Sequence, residues 1–255
     1  MGGTDKVITN GLVLKAADYR ENDRLITVLT EDFGKITMIG KGVKSLRNAN
    51  RAGTRELTYS EFVLRDRGGI YVLSECTPKK NFPGLSGEYE AMVLACYVGS
   101  VADFICMEGA PEPEILSLSL NTLYALSERL RSYECIKAVF ELRVALALGI
   151  LPGFEVCSVC GRRSDDMWFS LQNGDVICRN CVKKYDGSLE RLSRTALDYL
   201  RYESRCDGKK ILSIPEEPDG QTAALAEKIL TNGVGRTFPP LKNYNELKKA
   251  FNFPV

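Results

Sequence analysis

Four cysteines between residues 157 and 181 constrain this chain more than any other feature. They stand as Cys157-Ser-Val-Cys160-Gly161 and Cys178-Arg-Asn-Cys181, the pattern C-x2-C-x17-C-x2-C. Each C-x2-C turn directs two thiolates at one ion, and the spacing lies in the range of four-cysteine zinc sites. Asn173-Gly174 marks a turn midway through the spacer, so a hairpin with strands Trp168–Leu171 and Asp175–Ile177 is expected. Four thiolates close a tetrahedral shell. The expected Zn2+ is therefore structural, with no position open to water or substrate.

Two disulfides, a redox pair and an iron–sulfur cluster are the competing readings of these thiols. The chain has nine cysteines, the others being Cys76, Cys96, Cys106, Cys135 and Cys206. An odd count, with no apolar signal-peptide core at the start, points to a reducing cytoplasm and against disulfides. The pairing of two motifs argues against a lone redox couple. Cys96, Cys106 and Cys135 lie in apolar helical stretches, where cysteine acts as a small hydrophobe.

No histidine occurs anywhere. That removes Ser-His-Asp and Cys-His catalysis, imidazole acid–base chemistry and every histidine-containing zinc site. Gly34-Lys-Ile-Thr-Met-Ile-Gly40-Lys41-Gly42 looks like a phosphate loop. Five residues rather than four separate its glycines, however, and Gly42 replaces the Ser or Thr that would hold magnesium. Asp18, Glu21 and Asp23 could suggest a metal nuclease, but Arg20 and Arg24 interleave them and a surface turn is the expected reading. The chain is therefore not expected to be an enzyme. Its most apolar run, residues 91–107, is shorter than the roughly 20 residues of a membrane span and contains Asp103. A central helix is expected there, and no membrane partner.

The net charge of +1 over 255 residues hides an uneven distribution. Residues 1–80 are net +4 and residues 81–156 net −6. The first section reads as β structure. Leu12 and Leu14 alternate with Val13 and Lys15, the run Leu25–Thr30 is rich in β-branched residues, and Ile36 and Met38 share a face, as do Phe62 and Leu64. Gly68-Gly69 turns the chain into Ile70–Leu73. Five short strands in about 75 residues suit a small barrel. Residues 87–150 read as helices, the second beginning at Pro113 and the third ending at Gly149 with Pro152 beyond. Ser193 is placed to cap a fourth helix, and a fifth runs from about Thr222 to Asn232-Gly233. The chain thus divides as 1–80, a barrel domain, and 81–255, a helical domain with the metal module 154–185 inserted. The fold class is α+β, multidomain.

From Lys35 to Arg55 the chain carries Lys35, Lys41, Lys44, Arg47, Arg51 and Arg55 and no acidic residue. Aromatics stand nearby in sequence at Tyr19, Phe33, Tyr59, Phe62 and Tyr71. A positive groove with stacking rings is how small barrels hold single strands. A solvated charge run that serves only solubility is the alternative.

Three blocks together resemble the RecO family of bacterial recombination mediators. The first is Gly11-Leu-Val-Leu, Asp18-Tyr19-Arg-Glu21-Asn-Asp23-Arg24-Leu-Ile-Thr, Gly34-Lys35-Ile and Gly40-Lys41-Gly42-Val-Lys44-Ser45. The second runs from Phe140-Glu141-Leu142 to Leu148-Gly149-Ile-Leu-Pro152. The third is the cysteine module with Phe169-Ser170 and Gly174-Asp-Val-Ile-Cys178. The resemblance covers most of residues 7–205. The tail resembles the family least, since Thr237-Phe238-Pro239-Pro240 departs from a helical ending.

The resemblance implies an N-terminal OB-fold, a helical domain and an inserted zinc module. It also implies a non-enzymatic role in DNA repair and recombination, in a bacterial cytoplasm at the nucleoid. Family members bind single- and double-stranded DNA, anneal complementary strands and, with RecR, assist a RecA-type recombinase onto strands coated by single-strand binding protein. By position in the motif, Arg24, Lys35, Lys41 and Lys44 become expected DNA contacts; Arg47, Arg51 and Arg55 rest on charge alone. A zinc-stabilised protein–protein adaptor that never touches nucleic acid is the alternative function.

Overall fold

The computed structural model describes residues 6–205 and 217–251. Cys206 lies outside the described residues. These residues form two compact units, one holding 6–128 with 238–251, the other 129–205 with 217–237.

The first unit begins with β1 (Lys6–Tyr19), β2 (Asp23–Thr30), β3 (Gly34–Gly40), β4 (Tyr59–Asp66) and β5 (Tyr71–Lys80). They close a barrel in the order β1-β2-β3-β5-β4. All neighbours are antiparallel except β3 and β5, whose parallel pairs Met38 with Tyr71 and Ile39 with Val72 complete the ring. This is an OB-type barrel. β1 is long enough to pair with β2 on one edge and β4 on the other. Val13, Ile26, Met38, Phe62 and Leu64 fill its interior.

Simple alternation fails in β1, where Leu12, Val13 and Leu14 are all buried. The register with β2 shifts between Val13 and Lys15, so a bulge turns the strand there. The first helix, α1 (Tyr89–Ile105), packs against β1 and covers outward-facing side chains. At Gly99 of α1 a Cβ would meet Leu14 O of β1 at an ordinary 3.9 Å and the Leu57 side chain at a tighter 3.3 Å.

α2 (Pro113–Glu128) starts at its proline, as expected. The last helix, α6 (Pro239–Phe251), begins where the sequence suggested a departure from helix. Its two prolines fall in the first turn, where no N–H is needed for the intrahelical ladder. The preceding Phe238 packs edge-on to Tyr97 and Phe104 of α1, with ring centroids 5.7 and 5.8 Å away.

The second unit contains α3 (Tyr133–Ala147), α4 (Arg194–Arg205) and α5 (Gly220–Gly233). Each is capped by a side chain, of which Ser193 is the one expected from the sequence. Ser132 Oγ accepts from Cys135 N, Ser193 Oγ from Ala196 N, and Asp219 Oδ1 from Thr222 N. Every residue of α3 from Cys135 to Ala145 is buried, including Lys137, Glu141 and Arg143. Lys137 Nζ therefore binds Glu141 at 3.0 Å and Glu227 of α5 at 2.7 Å, while Arg143 meets Glu203 of α4 at 2.8 Å. Burial pushes the Lys137 amine down, but the two carboxylates more than offset it. Burial also raises the Glu203 carboxyl to about 7 against the pull of Arg143.

Between α3 and α4 lies a three-stranded sheet of β6 (Met167–Ser170), β7 (Asp175–Cys178) and β8 (Glu190–Arg191), in the order β7-β6-β8. The β6–β7 hairpin forms within one residue of its expected bounds. It turns at Gly174, whose φ of 72° suits glycine.

Candidate nucleic-acid interface and metal centre

The turn after β1 and the loop after β3 bring the first basic residues together. Arg24 lies opposite Asp18 in the β1–β2 ladder. Arg24 Nε is 3.3 Å from Asp18 Oδ1, and Lys44 Nζ is 3.0 Å from Oδ2. The hydrogen bond from Lys44, then that from Arg24, hold the Asp18 carboxyl below the usual carboxylate range. The loop is fastened over this turn. Gly42 N donates to Asp23 Oδ1 at 2.8 Å, and Lys44 N to Asn22 O at 3.2 Å. Asp18 and Asp23 are thus occupied by cations and backbone. Among the described residues, the only grouping of His, Cys, Asp or Glu that could hold a metal is elsewhere.

The rest of the segment continues along the loop between β3 and β4. Asn48 Nδ2 donates to Lys41 O at 3.2 Å, and its Oδ1 caps the 3-10 turn Ala49–Arg51 through Asn50 N at 2.9 Å. Asn50 in turn is held by β5, accepting from Cys76 N and donating to Ser74 O. Gly53 sits so close to that strand that a Cβ would stand 2.3 Å from Cys76 Sγ. Lys41, Arg47 and Arg55 are exposed, and Arg51 is half-buried. Asn48 and Asn50 were not singled out from sequence, although Asn-x-Asn beside a glycine-rich turn is a turn-capping signal.

Lys35 stands apart. It opens β3 while Lys41 follows its end, a separation of about 20 Å along the strand. Its ammonium is half-buried against α1, donating to Asp103 O and lying 3.2 Å from Asp103 Oδ1.

Most of the neighbouring rings do not line a groove, contrary to the expectation from sequence. Phe62 is wholly buried in the barrel, and Phe33 and Tyr71 pack against the same core. Tyr59 donates its hydroxyl to Glu31, and burial followed by that carboxylate raises its pKa. Of the five rings, Tyr19 remains beside the cations, with the Arg20 guanidinium 5.1 Å above it.

The four cysteines of the second unit converge. Their sulfurs all lie within 4.8 Å of one another, and Cys160 Sγ is 3.8 Å from Cys178 Sγ. Metal–sulfur bonds of about 2.3 Å at tetrahedral angles place ligand sulfurs about 3.8 Å apart, so the arrangement fits one ion. It does not fit disulfides, since all four thiols are free. Cys157, Cys178 and Cys181 are buried and Cys160 is exposed.

Backbone bonds shape both turns. Gly161 N donates to Cys157 O at 2.8 Å, Cys181 N to Cys178 O at 2.8 Å, and Ser158 N to Val176 O at 2.7 Å. Burial opposes ionisation of Cys157, yet the surrounding N–H groups of Cys178, Cys160 and Val159 bring it down to about 6. Burial and the neighbouring thiols push Cys181 up to about 12. A divalent cation would displace the proton that Cys181 otherwise holds. Arg201 of α4 anchors the module, donating to Phe154 O at 3.0 Å, Ser164 O at 2.6 Å and Asp165 Oδ1 at 3.1 Å.

The recombination protein O N-terminal family matches residues 4–82, and the recombination protein O C-terminal family matches residues 86–239. Similar proteins include the DNA repair protein RecO of Acetivibrio thermocellus, 32% identical over 76% of this chain and 77% of the relative. That of Alkaliphilus metalliredigens is 30% identical over 88% of this chain and 92% of its own length. That of Clostridium novyi is 24% identical, covering 95% of this chain and 94% of its own. No described helix is long and apolar enough to cross a membrane.

Proposed function

The chain belongs to the recombination protein O family of DNA repair proteins, which are non-enzymatic recombination mediators, and from that premise we propose that it binds single- and double-stranded DNA through its barrel. The proposed contacts are Arg24, Lys41, Lys44, Arg47, Arg51 and Arg55. Lys35 joins them only where it can exchange Asp103 for a phosphate. Residues 1–80 form the proposed DNA-binding domain, and residues 81–255 the helical domain carrying the module 154–185. Zn2+ is the proposed ion at Cys157, Cys160, Cys178 and Cys181, closing the module without chemistry of its own.

The observation that carries this reading is the fastened cationic loop from Lys41 to Arg55, which lacks any acidic residue and whose Lys44 pairs with Asp18. A backbone fastened in this way has little freedom left to lose when its side chains meet phosphates. Backbone contacts leave base edges free to pair, so the protein anneals complementary strands, including strands coated by single-strand binding protein. The duplex itself supplies the driving force, about 1.4 kcal/mol per base-pair step. With RecR it assists a RecA-type recombinase onto such strands, in the bacterial cytoplasm. A titration of single-strand affinity against salt tests the reading. With four to six phosphates neutralised, log affinity falls against log salt with a slope of about −3 to −4. A flat response would reduce the loop to a solvated face.

A further inference from the structure

Within the cationic loop, one side chain has no place in an electrostatic account. Leu46 lies between Lys44 and Arg47 and is 83% exposed, the most exposed large apolar side chain among the described residues. The loop is not loosely held there. Ser45 N donates to Gly42 O at 3.1 Å and Asn48 N to Ser45 O at 3.2 Å, within the frame that Asp23 and Asn50 fasten on either side. A fixed backbone thus holds a leucine in water, where its apolar surface gains nothing until a partner covers it.

Beside it is a cleft of about 280 Å³, lined by Leu46, Asn48, Ala49, Arg51, Ala52 and Arg55. The cleft is smaller than sites for drug-sized ligands, which span about 300–1,000 Å³. Leu46, Ala49 and Ala52 give it an apolar side, and two guanidinium groups border it. An apolar wall with cations alongside complements a nucleotide, which joins a flat apolar face to phosphates. Leucine is also among the side chains that proteins wedge between base steps.

We propose that this cleft receives one nucleobase turned out of a bound strand, with Leu46 against its face and Arg51 and Arg55 on the flanking phosphates. The inference rests on the DNA-binding reading above. It adds a base-level contact that charge alone does not supply, one that leaves the strand locally unstacked and open to a complementary partner.

The test uses the full chain and a single strand carrying one internal 2-aminopurine and an end label. Anisotropy of the label reports binding, and 2-aminopurine fluorescence reports unstacking. With the wild type, both signals are expected to rise together. Leu46→Ala should keep affinity within about tenfold and lose most of the 2-aminopurine rise, whereas the aliphatic Leu46→Met should restore it. Equal 2-aminopurine signals for Leu46→Ala and wild type, or wild-type binding without any rise, overturn the proposal. An absent anisotropy change in the wild type would instead defeat the DNA-binding reading, and the inference with it.

Discussion

Asp18 decides how much of the positive field reaches a phosphate. It is exposed and holds both Arg24 and Lys44, so a strand that binds here must compete with one carboxylate for two cations. Asp18→Asn frees both. Single-strand affinity is expected to rise, and the slope of log affinity against log salt to steepen by about 0.7 to 1.4. Weaker binding of that variant, read by anisotropy across a salt series, would contradict the role given to the clamp. The buried pair Arg143–Glu203 makes a different prediction. Arg143→Met strands a carboxyl that burial already lifts to about 7, and loss of one partner of such a pair costs about 3–5 kcal/mol. An acid whose folded pKa is raised is most favourable below its unfolded pKa, and that contribution is lost as pH rises through the folded value. The deficit of the variant should therefore be smaller near pH 5.5 than near pH 8.5, measured by urea unfolding at both. A pH-independent deficit would show that Glu203 is not the group left exposed to the change.

The cysteine module is the element most fully written in local sequence. C-x2-C spacing, Gly161 and Asn173-Gly174 specify two turns and a hairpin with no help from distant residues, and the strands fall within one residue of expectation. β1 and α6 were not open to the same reading. The burial of Leu12, Val13 and Leu14 together depends on a bulge and on α1, which arrives more than seventy residues later in the chain. The Pro239-Pro240 pair looks like a break until Phe238 is seen docked on Tyr97 and Phe104. The candidate DNA contacts were legible as charge, but not their division. Sequence proximity joined Lys35 to Lys41, while β3 carries them to opposite ends. Phe62 misled because proximity in sequence ignores which face of a strand a ring occupies. Removing the metal tests the module as an element. In Cys178→Ser, or after chelation, amides of β6 and β7 should exchange at least about tenfold faster, with α4 loosened through Arg201, while β1–β5 keep their protection. Unchanged exchange in β6 and β7 would show that the sheet stands without an ion.

For the whole molecule, a net charge of +1 conceals a basic first section followed by an acidic one. Its positive field is therefore local, borne by one fastened loop of the barrel and by Arg24 of β2. No histidine is present to carry proton chemistry, and the loop resembling a phosphate cradle is instead β3 with its following turn. The proposed action of this face is to bring strands together without a chemical step. The most direct measurement is duplex formation between complementary labelled strands, bare or coated by single-strand binding protein, followed by fluorescence with and without ATP. The wild type is expected to accelerate annealing equally in both conditions. The triple change Lys41→Glu, Lys44→Glu, Arg47→Glu should abolish the acceleration while the metal content at the four-cysteine site stays that of the wild type. An absolute requirement for ATP, or full activity in the triple variant, would show that this face does not pair strands by charge alone.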